Sequence, residues 1–105
     1  MVEVSSQPSS AELDALARQG ASRLSSIDPR LAELNLSIDG GGSSSRDSCI
    51  VAHLEFTLPE HQVILSRCHP RETAEAVRIA FDAAAVALRD IARRDGVQPA
   101  PESVN

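Results

Sequence analysis

The sequence predicts an α+β domain in which a four-stranded sheet carries both of its helices on one face, in the order strand–helix–strand–strand–strand–helix. Three observations predict it. Four segments place apolar residues at alternate positions, and two longer ones place them every third or fourth position. A chain of 105 residues also has room for one modest core and no more. Each strand then has one apolar face and each helix one apolar stripe, and two layers bury them all.

Val2 and Val4 alternate with polar neighbours over residues 1–6, as in a short strand. "PSSAELDALARQGASRLSSI" follows as a helix. Ser9 and Glu12 have the spacing of a capping box, in which hydroxyl and carboxylate each satisfy an orphan amide. Leu13, Leu16, Gly20, Leu24 and Ile27 share a stripe, with Asp14, Arg18, Ser22 and Ser25 opposite. Gly20 lies on the buried stripe, where the missing side chain lets another backbone come close. Asp28-Pro29 ends the helix, because the residue before proline avoids helical geometry.

"LAELNLSID" turns Leu34, Leu36 and Ile38 inward, and Glu33, Asn35, Ser37 and Asp39 outward. "GGGSSSRDS" reads as a flexible connector. In "CIVAHLEFTL", Ile50, Ala52, Leu54, Phe56 and Leu58 share one face. After Pro59 the chain runs back through "QVILSR". A hairpin tip at Glu60-His61 pairs Phe56 with Leu65, Leu58 with Val63 and His53 with Cys68. Cys49 and Cys68 are not partners in that register, so no disulfide between them is expected. Cys68-His69-Pro70 is the joint between strand and helix. The last helix spans about 72–94, with Thr73, Val77, Ala80, Phe81, Ala84, Leu88 and Ile91 as its stripe. "DGVQPAPESVN" reads as a loose tail, which gives one domain over 1–95 and a tail over 96–105.

All ten basic residues are arginine; against fifteen carboxylates they leave a formal net charge of −5. That balance argues against a generic polyanion binder, whose domain is normally basic, but leaves room for local basic clusters. The outward strand positions Glu3, Glu33, Asp39 and Glu55 would repel a polyanion. No secretion signal and no apolar run of membrane-spanning length is visible, and two cysteines without a leader suggest free thiols in a reducing compartment. The expectation is a soluble cytoplasmic protein, monomeric or a weak homodimer.

His53, His61, Cys68 and His69 raise the question of a metal site. Zinc needs three or four convergent ligands; Cys68 and His69 point to opposite sides of a strand, and His61 sits at the far end of the hairpin. Arg67 and Arg71 flank Cys68 as they would a reactive thiol, but sequence adjacency to His69 does not make a base–nucleophile pair. "GGGSSS" lacks the Gly-Lys-Ser/Thr ending and the following helix of a phosphate-binding loop. No catalytic residue, metal or cofactor is expected.

"CIVAHLEFTLPEHQVILSRCHPRETAEAVRIAFDAAAVALRDIARR" resembles the ribosome hibernation-promoting and ribosome-associated inhibitor family. Members carry a strand, a tight turn, a strand closing on an arginine, a short loop, and a helix reading A-I-x-x-A-F-D-A-A. Arg67 matches the strand-closing arginine and "AVRIAFDAA" the helix opening. "SRLSSIDPRLAELNLSID" resembles the family's first-helix end and second strand, with Arg23 at a usual basic position.

The resemblance implies a bacterial, non-enzymatic factor. Such a factor binds small-subunit ribosomal RNA at the decoding region, where messenger and transfer RNA sit, and silences or preserves idle ribosomes. Its implied RNA-contacting residues are Arg23, Arg67, Arg89, Arg93 and Arg94, with Arg71, Arg78 and Arg18 as neighbours. Five phosphate contacts on single-stranded RNA would give a salt slope of about −3.5. The second helix departs from the family pattern, with Ala85, Val86 and Ala87 around the usual basic pair and Ala74 at a usual aromatic position. Ile79 and Val86, seven residues apart with Ala85 beside them, form a small apolar patch. The alternative is therefore a protein-interaction module on the same fold, docking its partner at Ile79 and Val86.

Overall fold

The structure, a computed structural model, describes residues 2–7, 10–39 and 49–97. It contains β1 (Glu3–Gln7), α1 (Ala11–Ile27), β2 (Glu33–Asp39), β3 (Ile50–Leu58), β4 (His61–His69) and α2 (Thr73–Arg94), the expected order. The strands lie in the sheet in chain order. β1 and β2 are parallel, joined by the α1 crossover, and the other pairings are antiparallel. Leu34, Leu36, Ala52, Leu54 and Phe56 line the inner sheet face. They share one core with Leu13, Ala17 and Leu24 of α1 and with Val77, Phe81, Ala84 and Leu88 of α2. Both helices thus cover the same face, and the other face is open.

Helix α1 begins one residue later than its capping box suggests. Ser10 is the N-cap and its Oγ accepts the Leu13 amide at 3.0 Å; Ser9 lies outside the described residues. The buried stripe of α1 is Leu13, Ala17, Gly20, Ala21 and Leu24, while Leu16 and Ile27 are half-buried. Helix α2 is likewise rotated from expectation. Thr73 is exposed and Ile91 half-buried, and Ala76, Ala85 and Ala92 take buried places. Small residues face each other because the helices are close. At Gly20 the close approach is made by the Phe81 ring rather than by a backbone, and a Cβ there would overlap that ring.

The hairpin turns at Pro59-Glu60, two residues tighter in register than a Glu60-His61 tip. Proline fixes the first turn position and Glu60 takes a φ of 74°, the pattern of a type II turn. Phe56 then pairs with Val63 and Leu58 with His61. A two-residue shift keeps every side chain on its face, since the strand period is two, but changes all its partners. His53 sits opposite Ser66, with Nδ1 2.7 Å from Ser66 Oγ, and Cys68 opposite Val51. Strand β4 continues through His69 instead of closing at Arg67.

The chain end expected as tail from residue 96 contributes a helix cap. Gly96 (φ 72°) donates its amide to Arg93 O at 3.2 Å and Val97 to Ala92 O at 2.8 Å, the paired bonds of a Schellman motif. Residues 98–105 lie outside the described residues.

A polar cluster locks the end of the sandwich where both helices finish. Asp28 caps the C-terminus of α1 through its amide and is 0% exposed. Its carboxylate accepts from the Arg30 amide at 3.0 Å, from Nε at 3.0 Å and from Nη2 at 2.8 Å. Arg30 Nη1 reaches Asp95, the C-cap of α2, at 3.0 Å, and His61 Nε2 of the hairpin lies 2.9 Å from Asp95 Oδ2. The Arg30 guanidinium holds the Asp28 carboxyl below its ordinary value, and His61 followed by Arg30 does the same for Asp95.

Two outcomes are expected from this packing. Gly20→Ala gains about 1 kcal/mol of helix propensity but overpacks a buried ring, typically a loss of about 1–3 kcal/mol. The net effect in denaturant melts is destabilisation, and Phe81→Leu in the same chain recovers part of it. The second outcome concerns acid. The folded carboxyls of Asp28 and Asp95 release protons more readily than their unfolded counterparts, so below about pH 4 the unfolded chain binds more protons. Their stabilising contribution is complete above that range and is lost as pH falls through the folded values. Denaturation midpoints between pH 6 and 3 should therefore fall less steeply for Arg30→Met than for the parent.

Candidate nucleic-acid interface

Residues 67–94, the end of β4 through α2, hold six arginines against Glu72, Glu75, Asp82 and Asp90, a net of +2 in a chain of −5 overall. Helical spacing puts Glu75, Arg78, Asp82, Val86, Arg89 and Arg93 on the outward face of α2. Arg23 joins this surface from α1, its Nη1 donating to Asp82 Oδ1 at 2.8 Å across the helix pair. Arg78 donates from the other side, to Asp82 Oδ2 at 3.1 Å and to Glu75 at 2.8 Å. Asp82 is thereby held below its ordinary value chiefly by the Arg23 hydrogen bond, and Glu75 by that of Arg78. At the far end Arg93 and Arg94 share Asp90, at 3.4 and 2.9 Å.

The seven arginines singled out by the sequence therefore divide. Arg23, Arg78, Arg93 and Arg94 are paired with carboxylates. Among the described residues, Arg67, Arg71 and Arg89 make no such pair. Arg67 stands on the helix side of the edge strand, opposite Ala52, exposed, with Nη1 donating to Ser66 O at 2.7 Å. Four of the seven, Arg78, Arg89, Arg93 and Arg94, are strung along α2, a helix about 33 Å long, while Arg67 and Arg71 precede it and Arg23 belongs to α1, so the set is not gathered at one end.

Arg71 is held by the joint itself. His69 Nδ1 accepts the amides of Arg71 at 3.1 Å and Glu72 at 3.0 Å, which fixes the neutral ring's proton on Nε2. Glu72, the N-cap residue, makes no side-chain cap bond; His69 instead takes the amides of the N-cap and of the residue before it, which orders the turn entering the helix. The other histidines are occupied at Ser66 and Asp95. Reading Cys68-His69-Pro70 as a joint missed the part His69 plays in ordering it; a histidine followed by proline ahead of a helix was the available signal. Asp82 as a bridge between helices had no sequence signal, since its partner lies 59 positions away.

The open sheet face is the electrostatic opposite. Its outward positions in the described strands include Glu3, Glu33, Asp39 and Glu55 and no arginine, as the alternation predicts. Glu3 lies directly beside Glu33. The apolar patch expected around Val86 is smaller than its sequence suggests: Val86 is 66% exposed, Ile79 half-buried and Ala85 buried. No helix among the described residues is long and apolar enough to cross a membrane.

No protein-family model matches the sequence, and no curated protein matches it either. Solved structures do share its architecture. The N-terminal domain of Thermus thermophilus Protein Y superposes with a TM-score of 0.68 at 12% identity, over 85% of this chain and 94% of that one. A ribosomal subunit interface protein from Coxiella burnetii gives a TM-score of 0.68 at 10% identity, over 88% of this chain and 97% of that one. The chain thus shares the βαβββα fold of these two structures, the fold that the resemblance carried by residues 50–94 implies.

Removing the negative charge of Asp82 leaves Arg23 and Arg78 with one carboxylate, Glu75, between them. Asp82→Asn is expected to bind single-stranded RNA about 2- to 5-fold more tightly than the parent at low salt, by filter binding or fluorescence anisotropy. The gain should shrink as salt is raised.

Proposed function

We propose that the protein is a ribosome-associated, non-enzymatic factor that lays α2 and the β4–α2 joint on small-subunit ribosomal RNA near the decoding region. There it excludes messenger and transfer RNA by occupying their space, inhibiting translation or preserving idle ribosomes. Arg67, Arg71 and Arg89 make the first phosphate contacts. Arg23, Arg78, Arg93 and Arg94 follow by exchanging carboxylate for phosphate. The observation that carries this reading is the segregation of charge: residues 67–94 are net positive in an anionic chain whose open sheet face is acidic. The fold shared with ribosomal interface proteins supports it.

The exchange is inexpensive. The four paired arginines and their carboxylates are all substantially exposed, and exposed pairs are worth about 0–1 kcal/mol each. A phosphate offers the same geometry with more charge.

Sucrose-gradient sedimentation of extracts from cells expressing the protein tests the proposal. It should co-migrate with small subunits or whole ribosomes and leave them at moderate salt. The variant Arg67→Glu, Arg71→Glu, Arg89→Glu should fail to co-migrate while melting at the parent's temperature. Neutral Gln at the same three positions should lower the salt slope for RNA by about 2. Absence from ribosomal fractions in growth and in starvation would overturn the proposal and favour a protein partner at Val86.

A further inference from the structure

The hairpin register brings together two cysteines that the sequence kept apart. Cys68 pairs with Val51, and Cys49 lies two residues before Val51, so both point to the open sheet face as diagonal cross-strand neighbours. The neighbouring Cys68 thiol, together with burial, pushes the Cys49 thiol above its ordinary value. Both cysteines are free. Diagonal neighbours sit about 7–8 Å apart at Cα, slightly beyond the usual disulfide span of about 4.4–6.8 Å. The remaining shift falls on Cys49, which precedes the first paired residue of β3. Cys68 is exposed on an edge strand with no further strand beside it, and Cys49 is half-buried.

We propose that Cys49 and Cys68 form a reversible dithiol–disulfide site whose co-substrate is a low-molecular-weight disulfide, R–S–S–R. The exposed Cys68 thiolate attacks one sulfur of that disulfide, forming Cys68–S–S–R and releasing RS⁻. The Cys49 thiolate then attacks Cys68 Sγ, forming Cys49–S–S–Cys68 and releasing the second RS⁻. The two protons lost by the cysteines end on the two released thiols. The cysteine pair is oxidised by two electrons and the small disulfide reduced by two. Cys68 adjoins Arg67 in the chain but faces the opposite side of the sheet, and the chemistry of the cysteine pair does not depend on ribosome binding.

The test is intact-protein mass and peptide mapping of the reduced full chain, incubated with oxidised glutathione without denaturant and quenched by alkylation. The expected product is monomeric, lighter by two hydrogens, carries a Cys49–Cys68 link, and returns to starting mass with dithiothreitol. Cys49→Ser should instead retain a glutathione adduct on Cys68, and Cys68→Ser should remain largely unmodified. A lasting adduct on the parent chain, disulfide-linked dimers, or faster modification of Cys49 than of Cys68 would each overturn the assignment. The parent's mass is informative even if a serine variant misfolds.

Discussion

The distance between the two helices is set by one ring over one missing side chain. Phe81 occupies the space above Gly20, and the alanines that surround this contact let the helices lie close side by side. Only two aromatics serve the whole core: Phe56 fills the sheet side, and Phe81 joins the helices. The surface shared by the two helices depends on this spacing. A wider gap would pull Arg23 out of reach of Asp82 and split the surface they share into two unrelated helix flanks.

The second constraint is at the opposite end of the energy scale. Asp28 is a fully buried carboxylate, and a buried charge is tolerated only when its hydrogen-bonding capacity is met. Arg30 meets it with three donors and spends its remaining Nη on Asp95, which also receives His61. The cluster therefore registers α1, α2 and the hairpin tip against each other. It also explains why Arg30 is unsuited to binding a phosphate, although sequence alone does not separate it from the other arginines.

The legible parts of the sequence were those written in a local code. Alternation in residues 50–58 and the helical period of α2 identified the elements and their order, because each depends only on neighbours a few positions away. The hairpin register was not legible to the same degree. A tip at Pro59-Glu60 and one at Glu60-His61 bury the same residues, so the hydrophobic pattern cannot distinguish them. The turn chemistry of proline followed by a residue at positive φ does. That two-residue difference separates a lone edge thiol from a dithiol. The arginines were identifiable as residues but not as a surface, since pairing with Asp82 and Asp90 is a matter of tertiary position and of rotamers on exposed helix faces.

A formal charge of −5 and a polyanionic partner are compatible for a reason of scale. The acidic sheet face and the outward side of the helices are separated by a sheet–helix spacing of about 10 Å plus the thickness of the helices themselves. At physiological ionic strength the Debye length is about 8 Å, so an RNA against the helices is screened from Glu3, Glu33 and Glu55 behind them. At much lower ionic strength the screening length grows beyond the thickness of the domain, and the whole negative charge is felt. The attraction of the near face and the repulsion of the far face thus weaken with salt at different rates, the repulsion first. Polarity of this kind would favour approach of the proposed RNA partner by the helices, and net charge then says little about which face such a partner meets.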